Sequence, residues 1–180
     1  YYNNWDFNAL CTIFERMTGR GVFDAFHDEI AIPLGMQDFA VHDCEYQLEA
    51  EKSVHPAYSF RMSARDMLRF GILFQQRGAW RGKQIVPTAW IEESTQTYSV
   101  EDETSGMGYG FLWNTIPAGS PLAQALGCTG YFHTGIGVHV LLVAPELKLV
   151  VVMRLDTDGA WADPGEEGDA LPFLLMGARL

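Results

Sequence analysis

The chain has 180 residues, 48% of them hydrophobic and 19% charged, which is enough apolar material for one ordinary globular domain with a buried core. Twelve Lys and Arg stand against 23 Asp and Glu, for a formal net charge of -11. Such an acidic surface repels phosphate backbones and argues against a nucleic-acid partner. No stretch approaches the ~20 unbroken apolar residues of a membrane helix, so no membrane-spanning segment is expected.

The chain opens Tyr1-Tyr2-Asn3-Asn4-Trp5 with neither an initiator methionine nor a signal peptide, and it runs at once into a helix. A polypeptide that continues upstream is the expectation. In the first helix, Phe7, Leu10, Cys11, Phe14 and Met17 follow the i, i+3, i+4, i+7 spacing of a buried stripe. Asn3 or Asn4 can cap its start and Gly19 can close its end. A second helix is expected from about Val22 to Ile32, with Val22, Phe23, Phe26 and Ile30 inward and Pro33 as its terminator. Residues 37–60 read as irregular with short extended stretches. Ser63 opens a third helix, with Asp66 three residues on in a near capping box; Met67, Phe70, Leu73 and Phe74 form its apolar side and Gly78 ends it. After a short extended piece at Trp80 to Val86, Pro87 begins a fourth helix running to about Ser94.

Beyond residue 100 the pattern becomes extended. Strands are expected over Tyr109 to Asn114 and Tyr131 to Thr134. The β-branched runs Val138 to Val143 and Leu147 to Leu155 flank Ala144-Pro145-Glu146 as an antiparallel hairpin. The second run is apolar on both faces, which implies a sheet covered on both sides. A last helix over about Glu167 to Ala178 would pack back on the sheet through Leu171, Leu174, Leu175 and Ala178. The layout is therefore α+β: a mainly helical region over 1–95, then an antiparallel sheet with a C-terminal packing helix over 100–180.

Metal chemistry finds little support. His133 and His139 could share a face of an extended chain, but no third ligand stands at metal spacing. Asp156-Thr157-Asp158-Gly159 begins like a calcium loop and fails at Ala160, Trp161 and Ala162. Cys11 reads as a small core residue, and there is no Cys-x-x-Cys pair. A Cys44–Cys128 disulfide is left open. Neither a metal nor an organic cofactor is expected.

The chain also has no recognisable serine nucleophile. There is no Gly-x-Ser-x-Gly, and no serine precedes a lysine by three: Glu49, Trp80 and Pro145 hold those places before Lys52, Lys83 and Lys148. Two short constellations remain. Tyr2-Asn3-Asn4 stands before the first helix, and His133-Thr134-Gly135 lies in a strand. Taken separately, an asparagine before a helix is most simply a cap, and a Trp5, Tyr131 or Trp161 near a cleft most simply packs in a core.

Taken in order, the segments resemble the class C β-lactamase and penicillin-binding-protein group of serine hydrolases. Tyr2-Asn3-Asn4 with Phe14-Glu15-Arg16-Met17-Thr18-Gly19 resembles that group's second motif and its helix. Pro33-Leu34-Gly35-Met36, Ser63-Ala64-Arg65-Asp66-Met67 and Gly82-Lys83-Gln84-Ile85-Val86-Pro87 resemble intervening landmarks. His133-Thr134-Gly135 resembles the third motif. The resemblance implies a partial β-lactamase/transpeptidase-like fold whose Ser-x-x-Lys lies upstream of residue 1. It implies an acyl-enzyme mechanism on a small-molecule ester, amide, peptide or β-lactam. Tyr2 would relay protons, Asn4 would orient substrate, and His133 would take the third-motif lysine's place. Thr134 and Gly135 would bind substrate, and the Ile136 N–H would donate to an oxyanion. A periplasmic or secreted location is implied by the same analogy. The rival expectation is a non-catalytic homologue acting as a binding or scaffold module.

Overall fold

The computed structural model describes residues 3–135 and 139–155. The expected terminal helix, Trp161 and the calcium-like Asp156–Gly159 stretch lie outside them. The chain divides into two compact units, residues 1–66 and 67–180.

In the first unit, α1 spans Asn4–Thr18. Asn3 caps it: its side-chain oxygen accepts from the Asp6 N–H at 3.1 Å, and its amide nitrogen donates back to the Asp6 carboxylate at 2.8 Å. Gly19, in the left-handed region, closes the helix. The apolar stripe of α1 behaves otherwise than expected. Cys11 and Ala9 are buried, while Leu10, Phe14 and Met17 are exposed, Met17 by 81%. Periodicity marks which side chains share a face, but a 66-residue unit has too little surface to cover a whole helical face of large ones.

The second helix also departs from expectation. α2 (Val22–Phe26) passes into a π-helical turn at His27–Ala31, and α3 (Ile32–Leu34) carries Pro33 inside it. The chain therefore does not stop at the proline. A π turn widens the ladder, which relieves the clash between a proline ring and the preceding turn. Gly35 then ends α3 with φ 65°. Phe23 of α2 is buried and stacks edge-on against Phe60 at 5.0 Å, while Phe26 meets Phe39 and Phe60 at 5.1 and 5.0 Å. This aromatic cluster is the core of the unit. A short hairpin, β1 (Glu45–Gln47) with β2 (Ala57–Ser59), supplies the extended stretches expected in residues 37–60.

α4 (Ala64–Gln75) starts in the first unit and continues into the second. Ser63 accepts from the Asp66 N–H at 3.2 Å, which is half of a capping box. The other half is missing, because the Asp66 carboxylate turns instead to the loop at residues 37–39. It accepts from the N–H groups of Gln37, Asp38 and Phe39 at 3.0, 2.8 and 3.0 Å. Three convergent backbone donors hold a buried carboxylate better than one cap N–H can. Arg65 forks onto the Asp38 carboxylate, to which Ser63 also donates.

The second unit is a sheet with helices against it. The two-residue strands β3 (Ala79–Trp80) and β4 (Lys83–Gln84) form a tight hairpin, and α5 spans Thr88–Ser94. Six strands then form a meander in which each pairs antiparallel with its neighbour in sequence: β5 (Ser99–Asp102), β6 (Met107–Tyr109), β7 (Asn114–Ile116), β8 (Gly130–Gly135), β9 (His139–Ala144) and β10 (Leu149–Met153). The strand expected over Tyr109 to Asn114 is in fact a turn between β6 and β7. The Gly110 N–H donates to the Trp113 carbonyl at 2.7 Å, and Leu112 adopts φ 63°. A Cβ on Gly110 would stand 2.6 Å from two backbone oxygens, those of Ser94 and Gln96.

The expected hairpin is β9–β10, and the expected two-sided cover is present. One face packs Ile116, Phe132, Val140 and Leu142 against Ala123 and Leu126 of α6 (Pro121–Leu126). The other packs Tyr131, Leu141 and Val143 against Phe74 of α4 and Ile91 of α5. All three cysteines are free thiols, so no Cys44–Cys128 bridge forms. Burial pushes the Cys11 thiol up to about 11, which suits a packing role. No helix among the described residues is long and apolar enough to cross a membrane.

Candidate active site

Of the residues singled out by sequence, Tyr2 and Ile136 lie outside the described residues. Asn4 is the first residue of α1 and is exposed. The capping job that most simply explains an asparagine here falls to Asn3. Trp5 is also exposed, and its ring meets His55 edge-on at 5.3 Å. Asn4 belongs to the first unit and the His133-Thr134-Gly135 triplet to the second.

The triplet occupies the end of β8. Alternation along this strand puts Tyr131, His133 and Gly135 on one face and Phe132 and Thr134 on the other. Tyr131 and Phe132 are buried, whereas all three motif residues are exposed. The pairing explains the change. β7 accompanies β8 only from Gly130 to Phe132, where Asn114 pairs with Phe132. From there on the described ladder runs with β9 alone, His133 opposite Leu141, Thr134 opposite Val140 and Gly135 opposite His139. One main-chain edge of the motif is thus bare of β7 because the turn at Gly110 to Trp113 ends that strand's reach.

His133 faces solvent, with its ring edge-on to Trp113 at 6.3 Å. The protein crowded around it lowers its pKa by desolvation. Water still reaches the ring, which limits how far that depression goes. The imidazole is accordingly neutral near pH 7, a donor or acceptor rather than a fixed cation. Tyr131 is no substitute base: burial between Trp113 and Phe74 raises its pKa, so the phenol stays protonated.

Sequence reasoning passed over one neighbour. Val140 pairs with Met153, and that register carries Arg154 opposite His139, which itself stands opposite Gly135. The Leu155 N–H donates to His139 Nδ1 at 3.4 Å, so the neutral ring carries its proton on Nε2. Burial first, and the Arg154 charge second, lower the His139 pKa. Equal spacing of His139 and Arg154 from the β9–β10 turn was the available signal. His133 and His139 share this face as expected, yet among the described residues no group of three or more His, Cys, Asp or Glu could hold a metal ion. A hollow of about 270 Å³ lined by Thr95, Thr97, Thr115 and Thr129 opens at the Gly130 end of β8, away from the motif.

Comparison with known proteins adds the following. The family described as Beta-lactamase matches residues 1–170. No curated protein matches the chain. Among solved structures, "Putative 6-aminohexanoate-dimer hydrolase from Bacillus anthracis" superposes with a TM-score of 0.62 at 24% identity, covering 84% of this chain and 37% of that one. The likeness is one of fold, and the chain spans little more than a third of that protein's length.

Proposed function

Because this chain belongs to the beta-lactamase family, we propose that it forms part of a serine hydrolase acting through an acyl-enzyme on a small-molecule ester, amide, peptide or β-lactam. The observation that carries this reading is the edge of His133, Thr134 and Gly135 that, among the described residues, has no β7 partner. Main-chain groups of a strand that has lost one neighbour can pair with an extended acyl substrate and hold its carbonyl for attack.

In this reading the serine and its lysine come from a Ser-x-x-Lys elsewhere in the polypeptide. The serine hydroxyl attacks the carbonyl carbon and passes its proton to Tyr2, which later returns a proton to the leaving group. Asn4 orients the substrate, and Thr134 hydrogen-bonds it. The Ile136 N–H and that of the serine stabilise the oxyanion. A tyrosine has an unperturbed pKa of ~10, and lowering it by about three units takes roughly 4 kcal/mol. His133, neutral near pH 7, cannot supply that field, so the Ser-x-x-Lys ammonium has to. This asks for no metal or organic cofactor. The neutral His133 also favours an ester, amide or peptide over a substrate gripped by a fixed third-motif charge.

The complete polypeptide should react with a serine-directed fluorophosphonate probe, and Tyr2→Phe should cut kcat by about 100-fold or more while leaving the fold intact. Undiminished turnover in Tyr2→Phe would remove the tyrosine from its role. A folded protein with no labelling at all would support the binding-module reading instead.

A further inference from the structure

The hollow at the Gly130 end of β8 takes no part in the motif edge, and its walls have a chemistry of their own. Thr95, Gln96, Thr97, Thr115 and Thr129 form its polar side, while Pro117, Ala118 and Pro145 form its apolar side. Among the described residues, none of those lining it is charged. Its volume of about 270 Å³ is that of roughly nine waters, room for a single substituted ring. The Thr95 hydroxyl donates to the Ile91 carbonyl at 2.7 Å, and the Thr129 hydroxyl to the Glu146 carboxylate at 3.1 Å. Each has spent its one proton and keeps lone pairs, so each is left as an acceptor. Thr97 and Thr115 share one bond at 2.7 Å, which uses one of their two protons and leaves the other hydroxyl a donor. Gly108 leaves room for this pair: a Cβ there would stand 2.2 Å from Thr97 Cγ2 and 2.8 Å from Thr115 Oγ1. Gln96 is exposed, and its side-chain amide, donor and acceptor at once, bonds to nothing among the described residues. The wall thus offers donors and acceptors together without charge. An anion finds no cation there, in a chain of net charge -11, and a cation finds no carboxylate. A purely apolar ligand would strip water from these groups and return no hydrogen bond.

We propose that this hollow binds a neutral polyhydroxylated ring, a sugar or a cyclitol, through the hydroxyls of Thr95, Thr97, Thr115 and Thr129 and the amide of Gln96. Hydroxyl groups that both donate and accept answer such a wall, and the C–H face of the ring packs on Pro117 and Pro145. The site lies apart from the His133-Thr134-Gly135 edge and stands whether or not the chain is a hydrolase.

The complete polypeptide is titrated in turn with myo-inositol, glucose and methyl α-glucoside while NMR follows the threonine methyl groups. At least one of the three should give saturable shifts centred on Thr95, Thr97, Thr115 and Thr129. Cyclohexanol, a ring of the same size with one hydroxyl, should bind at least about tenfold more weakly. Gln96→Ala should weaken polyol binding about threefold to tenfold. Ala118→Trp, which sets a large side chain at an exposed position of the wall, should abolish the shifts, and Gln76→Ala, outside the hollow, should leave them unchanged. Binding of inositol alone identifies a cyclitol. Binding of glucose without its methyl glucoside identifies a free sugar, and equal binding of both identifies the end residue of a glycan. Absence of saturation with all three overturns the site. So does cyclohexanol that binds as tightly, methylammonium that produces the same shifts, or an undiminished response in a folded Ala118→Trp. Should Ala118→Trp fail to fold, Gln96→Ala decides alone, and unchanged polyol affinity in it is equally fatal.

Discussion

At the scale of single residues, burial decides which polar groups matter. Asp66 is fully buried and answers three backbone N–H groups from the loop at residues 37–39. Asp66→Asn replaces one acceptor oxygen with a donor and strands at least one of those N–H groups, a loss of about 3 kcal/mol. Urea unfolding measures it, and a loss under about 1 kcal/mol would show that the loop finds other partners. The histidines add a pH effect. Burial lowers the pKa of both His133 and His139 below 6.5 in the folded chain. Between the lowered values and 6.5 the unfolded chain binds more protons, so stability rises with pH through that window and falls as the pH drops below about 6.5. The urea midpoint should therefore fall between about pH 7.5 and 5.5, and fall less in His139→Gln. An identical slope in that variant would mean that carboxylates alone set the acid limit.

At the scale of elements, close packing overrides local signals. Pro33 has every local reason to end a helix, yet the π turn before it lets the chain carry on to Leu34. Tyr109 to Asn114 has strand-like composition, but it folds into a turn because Gly110 must pass within reach of two backbone oxygens. α4 lies against the sheet at Gly71, where a Cβ would stand 2.5 Å from Val150 Cγ1 and 2.7 Å from Leu141 Cδ1. The Leu141 tip can turn away, whereas Val150 is stiff and held in β10. Gly71→Ala should therefore destabilise by about 1–2 kcal/mol, although alanine is the better helix former by about 1 kcal/mol. A rise in the thermal midpoint would show that α4 can lift from the sheet without cost.

At the scale of the whole molecule, the sheet's edges matter most. Among the described residues β10 pairs with β9 alone, and its five residues are all apolar. Such a strand edge templates pairing with another chain. These 180 residues expressed alone should self-associate, and sedimentation at rising concentration tests it; a heat-stable monomer at all concentrations would contradict the expectation.

Several features needed no tertiary information, because they depend on neighbours within a few residues. They include the α+β layout, an asparagine cap at Asn3 or Asn4, the closing Gly19, the β9–β10 hairpin and the two-sided cover of the sheet. The motif triplet was legible as a strand end, since period-two alternation and a following glycine are local. α6 was missed, although Ser120, Pro121 and Gly127 together mark a capped helix with a closing glycine. Other features could come only from the folded chain. Which face of α1 is covered depends on how much protein stands opposite it. Asp66's true partners lie about 30 residues away, and the early end of β7 follows from a turn set by backbone crowding. The row Gly135–His139–Arg154 exists because strand register converts distance along the chain into adjacency across a sheet, and register is fixed by packing on both faces.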